Sequence, residues 1–171
     1  MVAVFSYGSN LCVERIRERV ASAEPRHVGY LESHALRFHK RGRDGSAKAD
    51  AFATGDPADR VWGVIYELSD ADKPVLDRYE GLGRGYADRE IEIVTVPGPR
   101  VAAFMYQAQS EHIDASLLPY TWYRDFVIIG AGQHGLPSGY IDAVRAVDVA
   151  EDPDPERHRR ETSIVIAGPA R

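Results

Sequence analysis

The stretch that most narrows the choice of fold is residues 126–135, FVIIGAGQHG, where a short apolar run meets G-x-G-x-x-G. The spacing is that of a dinucleotide-binding loop. Such a loop works only between a strand and a helix, where its glycines let backbone N–H groups approach a pyrophosphate at the helix N-terminus. A parallel dinucleotide fold starting at Phe126 would have only the 46 residues from 126 to 171 for its sheet. The preceding residues point elsewhere. From Pro119, Tyr120, Tyr123, Val127 and Ala131 mark one helical stripe, and Trp122, Phe126 and Ile129 another. FVII is then the end of a buried helix, and the glycines form its C-cap and a sharp turn into a second helix. Leu136-Pro137-Ser138-Gly139 would interrupt a phosphate-cradling first turn. Asp148 stands near the distance of a ribose-binding acid but has no loop to serve.

The remaining pattern alternates short strands with short helices. Val2–Ser6 reads as a strand broken by Gly8-Ser9-Asn10. Cys12, Val13, Ile16 and Val20 follow at helical spacing, with Ser9 or Asn10 expected as N-cap. Strand signals recur, patchily, over residues 27–39 and then at 51–55 and 61–68. Ser69, Asp72 and Pro74 announce a short helix through Tyr79. Residues 91–95 and 101–106 alternate apolar and polar positions around a Pro97-Gly98-Pro99 hairpin turn. Residues 41–49 read as a solvated loop; the alternative gives Arg41, Arg43 and Lys48 a second substrate carboxylate to meet. From about 149 a charged tail reads as a solvated linker, with SIVIA at 163–167 as a last strand. Neither repeats nor a composition break divide residues 1–171, so a single domain is expected.

Composition excludes several classes of function. Net charge is −5 with both signs mixed along the chain, so no basic face marks a nucleic-acid partner. Cys12 is the only cysteine, which rules out an intramolecular disulfide and a cysteine-rich zinc site. There is no G-x-S-x-G or H-E-x-x-H, and Cys12 lies on a helix face that a core would cover, so neither nucleophile nor metal site is expected. A basic leader and an apolar run of about 20 residues are both missing. The expectation is a cytoplasmic, soluble protein without a membrane partner.

Two stretches can carry chemistry. Tyr7-Gly8-Ser9-Asn10-Leu11 is a glycine turn from strand to helix, exposing unpaired N–H groups and small polar side chains that suit a carboxylate or an oxyanion. The other is LDRYEG at 76–81. There Glu80 stands on the last turn of a helix, opposed by the negative end of the dipole and flanked by Tyr79, Leu82 and Tyr86. Both influences favour a protonatable carboxyl suited to general acid–base work. The plain alternatives are a capped turn and a surface glutamate.

VFSYGSNLCVERI (4–16), VWGVIYEL (61–68), LDRYEG with the following G-x-G-Y (76–86) and DFVIIGAGQHGLP (125–137) occur in this order. Together they resemble the γ-glutamylcyclotransferase family, over roughly residues 2–145. The resemblance implies an α+β fold, a small mixed β-barrel surrounded by helices. It implies an enzyme of γ-glutamyl and glutathione metabolism that turns a γ-glutamyl amide into 5-oxoproline and a free amine or amino acid, with no cofactor, metal or enzyme nucleophile. By the same resemblance Glu80 is the general acid/base. Ser6, Tyr7, Gly8, Ser9 and Asn10 cradle the glutamyl end, and Tyr106 aligns with a substrate-contacting tyrosine. Tyr86 is added as a pocket wall by proximity. The tail after Asp148 does not match the pattern. The partner is a small γ-glutamyl molecule, and a homodimer is among the states known for relatives. Release of a γ-glutamyl protecting group in a biosynthetic pathway, a non-catalytic ligand-binding module of the same fold, and a nucleotide-dependent oxidoreductase resting on GAGQHG alone remain as alternatives.

Overall fold

A computed structural model describes residues 1–166 of the chain. Its strands are β1 (Val2–Ser6), β2 (Glu24–Glu32), β3 (His34–Arg41), β4 (Ala47–Ala53), β5 (Arg60–Leu68), β6 (Tyr86–Thr95) and β7 (Arg100–Ala108). Its helices are α1 (Val13–Arg19), α2 (Lys73–Glu80), α3 (Thr121–Gln133), α4 (Ser138–Arg145) and α5 (Pro155–Ile166). Five strands close a barrel in the order β1-β5-β2-β6-β7, while β3 and β4 form a separate two-stranded sheet. Neighbours in the barrel run antiparallel except at the closure, where Val4 of β1 meets Phe104 of β7 in parallel. Closure removes the open edges that a five-stranded sheet would otherwise present. The architecture is the α+β mixed barrel with surrounding helices expected from the family resemblance.

The barrel forms because the second half of β1, Val4 to Ser6, and the middle of β5, where Val64, Ile65 and Tyr66 follow one another, have no solvent face. Phe5, Ile65, Tyr66, Ile93 and Met105 are all 2% exposed or less and fill one core. The α3 helix packs on this body through Trp122, Phe126, Val127 and Ala131. Gly130 lies where α3 crosses the turn after β1, and an added Cβ there would stand 2.3 Å from the Leu11 carbonyl carbon. In GAGQHG, then, Gly130 permits close helix packing. Gly135, at φ 64°, supplies the left-handed residue after the helix, and Leu136 N–H closes back on the Ala131 carbonyl. The turn leads into α4 and not into a phosphate-binding helix, but FVII does not end α3: the helix runs on through Gly130 and Gly132 to Gln133, and only Gly135 belongs to the turn.

Three other local expectations are corrected. Neither Ser9 nor Asn10 caps α1: residues 9–11 form a 3₁₀ turn and Cys12 is the cap, because the Asn10 amide is drawn across to Glu80 and Arg19. Residues 41–49 are not a solvated loop but the tip of the β3–β4 hairpin, with Ser46 and Ala47 buried. Asp44 organises that tip by accepting from the Ser46 N–H and from Lys48 Nζ, so its charges satisfy each other under cover. Residues 155–166 are helix α5, not linker and strand. Asp154 accepts from the N–H groups of Glu156 and Arg157, and Pro155 opens the first turn. Ala167, the end of the expected last strand, lies outside the described residues.

Candidate active site

The turn that ends β1 and the end of α2 meet in space. Glu80 is the last residue of α2, and Gly81 follows in the left-handed conformation at φ 68°, which stops the helix and leaves the carboxylate at its rim. Asn10 Nδ2 donates to Glu80 Oε1 at 2.9 Å. Arg19, the last residue of α1, donates from Nη1 to the same oxygen at 2.6 Å and to Asn10 Oδ1 at 2.8 Å. The three side chains form a closed triangle that fixes one carboxylate oxygen. Glu80 Oε2 has no protein partner among the described residues, so the fixed oxygen aims a free one.

The Glu80 side chain lines a cavity. Ser6, Tyr7, Gly8, Ser9 and Asn10 line it together with Glu80, Tyr86 and Tyr106, so all the residues singled out in the sequence share one wall system. Phe5, Ala49 and Tyr123 complete it. Ser6 Oγ is buried without a hydrogen-bond partner, and the N–H groups of Gly8, Ser9 and Asn10 find no acceptor among the described residues. A buried hydroxyl left unmatched costs roughly 1–3 kcal/mol, a cost that an oxygen-bearing ligand would relieve. An added Cβ at Gly8 would come within 3.1 Å of Ala49 Cβ and 3.2 Å of the Tyr123 hydroxyl, so glycine keeps this floor open.

The tyrosines build the walls more than they reach inward. Tyr86 donates to the Ala49 carbonyl at 2.6 Å, and Tyr123 accepts from the Ala49 N–H at 3.0 Å, which ties the β3–β4 hairpin to β6 and α3. The Tyr7 hydroxyl donates to the Tyr106 carbonyl, and the Tyr106 hydroxyl donates to Asp77 Oδ1 at 2.7 Å. Burial holds Tyr7 and Tyr86 well above the ordinary tyrosine range and pushes Tyr123 up to about 12. All three are therefore neutral hydroxyls at physiological pH. Tyr79, expected to desolvate Glu80, is instead 58% exposed, with the Arg19 guanidinium over its ring.

Sequence reasoning missed Arg19 and Tyr123. Arg19 reads as one more charge on the polar face of α1, and Tyr123 as one more core residue of α3. Cys12 is fully buried and its thiol is pushed up to about 12, chiefly by burial, which leaves it without nucleophilic character. Among the described residues no group of three or more His, Cys, Asp or Glu side chains is placed to hold a metal ion. Nor is any described helix long and apolar enough to cross a membrane.

Fold and site together define a class: a closed α+β barrel that presents one anchored carboxylate over a turn rich in unpaired donors. The AIG2-like family matches residues 60–144. The γ-glutamylcyclotransferases of Bos taurus and Homo sapiens are each 30% identical over 148 residues, 84% of this chain and 77% of theirs. A solved structure of a γ-glutamyl cyclotransferase superposes with a TM-score of 0.83 at 25% identity, covering 95% of this chain and 98% of that one. The chain belongs to the γ-glutamylcyclotransferase family. It is an enzyme with that family's general activity, acting on a small molecule.

Proposed function

We propose that the protein cleaves γ-glutamyl amides by intramolecular cyclisation, with Glu80 as the proton carrier and residues 6–10 as the cradle of the glutamyl group. The observation that carries this reading is the half-tethered carboxylate: Oε1 is fixed by Asn10 and Arg19, Oε2 has no protein partner among the described residues, and Glu80 lines the same cavity as residues 6–10. A group held by one oxygen can move protons with the other without losing its place.

The reaction balances as follows. The substrate's α-nitrogen enters as an ammonium, gives a proton to Glu80 and attacks the γ-carbonyl carbon. A nitrogen–carbon bond forms as the old amide bond breaks. The ring nitrogen keeps one of its three hydrogens, and the other two pass by way of Glu80 to the departing nitrogen, which leaves as an ammonium. The products are 5-oxoproline and a free amine or amino acid, and Glu80 ends ionised as it began. The carbonyl oxygen, negative in the tetrahedral state, is met by N–H groups of Gly8, Ser9 and Asn10, with the Ser6 hydroxyl beside them. The neutral tyrosine walls hold the glutamyl chain bent. Pre-organising a ring closure can remove about 7 kcal/mol or more of barrier.

The test is 5-oxoproline release from γ-glutamyl dipeptides, followed by mass spectrometry, in the wild type and in Glu80→Gln. The variant keeps the shape and the Asn10–Arg19 surroundings but cannot carry a proton, so kcat/KM is expected to fall by about 10²–10⁴. A variant as active as wild type would remove Glu80 from the chemistry, and release of free glutamate would replace cyclisation by hydrolysis.

A further inference from the structure

Beside the cavity lies a second cleft, which shares Ser9, Glu80, Tyr86 and Tyr123 with the first. With the glutamyl group on residues 6–10, the amide's departing half must lie on this side of Glu80. The cleft is cationic in an acidic protein: it presents seven basic side chains against three carboxylates, although the chain as a whole carries −5. Four of the seven are already matched. Arg19 is taken by Glu80, Arg15 by Glu161, Lys48 by Asp44 and Arg157 by Asp152. Those pairs use up all three of the cleft's own carboxylates.

Lys40, Arg43 and Arg84 remain, with no carboxylate within 4.0 Å among the described residues. Lys40 is only 7% exposed. Its ammonium lies over the Tyr86 ring at 4.5 Å from the centroid and passes close over Gly85, where an added Cβ would come within 2.7 Å of Nζ. A lysine so covered, at the edge of a cleft, makes no direct ion pair; Glu80 and Asp44 act on it only from a longer distance. Burial is the largest cause of its lowered pKa, and an anion placed against the ammonium would oppose that shift, as Glu80 and Asp44 already do from further away. Arg43 and Arg84 are exposed at the mouth of the same cleft.

We infer that the departing half of the substrate carries two or more anionic groups, the innermost paired with Lys40 and the others with Arg43 and Arg84. This inference rests on the cyclotransferase reading of Glu80 and adds the class of leaving group to it. A departing monocarboxylic amino acid would supply one anion for three free cations. An acidic amino acid, a peptide bearing one, or a phosphorylated amino acid would supply more.

The experiment compares kcat/KM for γ-glutamyl-glutamate, γ-glutamyl-O-phosphoserine, γ-glutamyl-alanine and γ-glutamyl-alaninamide, whose leaving groups carry two carboxylates, a carboxylate and a phosphate, one carboxylate and no anionic group. The expected order follows the number of anionic groups, both two-group substrates ahead of γ-glutamyl-alanine and that ahead of γ-glutamyl-alaninamide, with at least about a tenfold advantage of γ-glutamyl-glutamate over γ-glutamyl-alaninamide, equivalent to about 1.4 kcal/mol. Lys40→Met and, separately, the exposed Arg84→Ala are each expected to reduce that ratio. In the wild type, raising ionic strength from about 0.01 M to about 0.15 M shortens the Debye length from about 30 Å to about 8 Å and should depress turnover of the anionic substrates more than that of the amide. A phosphoserine substrate ahead of the glutamate one would name phosphate as the source of charge; the reverse order would name carboxylate. Turnover of all four with no dependence on charge, salt or either variant overturns this inference alone. Failure of every substrate to give 5-oxoproline overturns the reading of Glu80 and this inference with it.

Discussion

Arg19 carries as much of the site's geometry as Glu80 does. Its Nη1 bridges Glu80 Oε1 and Asn10 Oδ1, and both ends of the ion pair are sheltered, the side chains being 12% and 15% exposed. A hydrogen bond to a charged group in such a setting contributes about 1.5–3 kcal/mol. Arg19→Met keeps the aliphatic stem and frees the carboxylate to swing, so kcat/KM for 5-oxoproline release is expected to fall about 10- to 100-fold, with thermal stability reduced less. Arg19→Lys restores the charge without the planar fork and should recover part of the loss. Equal activity in wild type and Arg19→Met would show that Glu80 holds its place without it. Glu80 and the residues around Gly8 were legible in the sequence because each breaks a local rule, one a carboxylate at a helix end, the other a donor-rich glycine turn. Arg19 breaks none: a basic residue in the last turn of a helix is what the dipole favours, and only the tertiary approach of α1 to α2 gives it a second task.

Elements were legible where the hydrophobic period is carried by the chain itself, and missed where it depends on a partner. The barrel strands β1, β5, β6 and β7 and helix α3 have their apolar stripes in sequence. The tip of the β3–β4 hairpin does not; it is ordered by Asp44, by Lys48 lying over the rings of Trp122 and Tyr123, and by the Ala47 N–H donating to the Leu118 carbonyl. Helix α5 is polar on most faces; the Glu161–Arg15 and Arg157–Asp152 ion pairs hold it, together with Ile164 and Val165 packed against the core. Its start, Asp154-Pro155, was nonetheless a readable cap signal that the charged composition obscured. The GAGQHG segment separates the two kinds of evidence at the scale of one helix. Gly130→Ala would drive a Cβ to 2.3 Å from the Leu11 backbone, whereas Gly132→Ala would meet nothing within 4 Å. The first is expected to cost about 1–3 kcal/mol by overpacking and to lower activity, since the turn it displaces carries Ser9 and Asn10. The second should raise stability by up to about 1 kcal/mol through helix propensity and leave 5-oxoproline release unchanged. Urea denaturation of the two variants decides it; a nucleotide-binding role for the segment would need both glycines and would make both variants defective.

At the scale of the whole molecule, one feature links stability to the site: the cavity is walled by tyrosines that must stay neutral. Tyr7, Tyr86 and Tyr123 are 4%, 6% and 7% exposed. Burial is the largest cause of their shifts, holding Tyr7 and Tyr86 far above the ordinary value and Tyr123 at about 12. Tyr66, Tyr106 and Tyr140 are raised for the same leading reason. In the unfolded chain each of these phenols ionises near pH 10. Between pH 10 and 12 the unfolded state therefore binds fewer protons than the folded one, and stability falls as pH rises. Each tyrosine contributes about 1.4 kcal/mol per pH unit to that slope, and below pH 10 the whole of this stabilisation is retained. Urea midpoints measured across this range should accordingly show no tyrosine contribution up to pH 10 and drop steeply above it. Tyrosinate absorbance should appear together with the loss of structure rather than ahead of it. Tyr7→Phe removes one phenol and should make the decline shallower by about 1.4 kcal/mol per pH unit. If tyrosinate instead develops smoothly around pH 10 while circular dichroism holds steady, water reaches the cavity walls freely, and the dry, hydroxyl-lined pocket on which the proposed ring closure depends is not present.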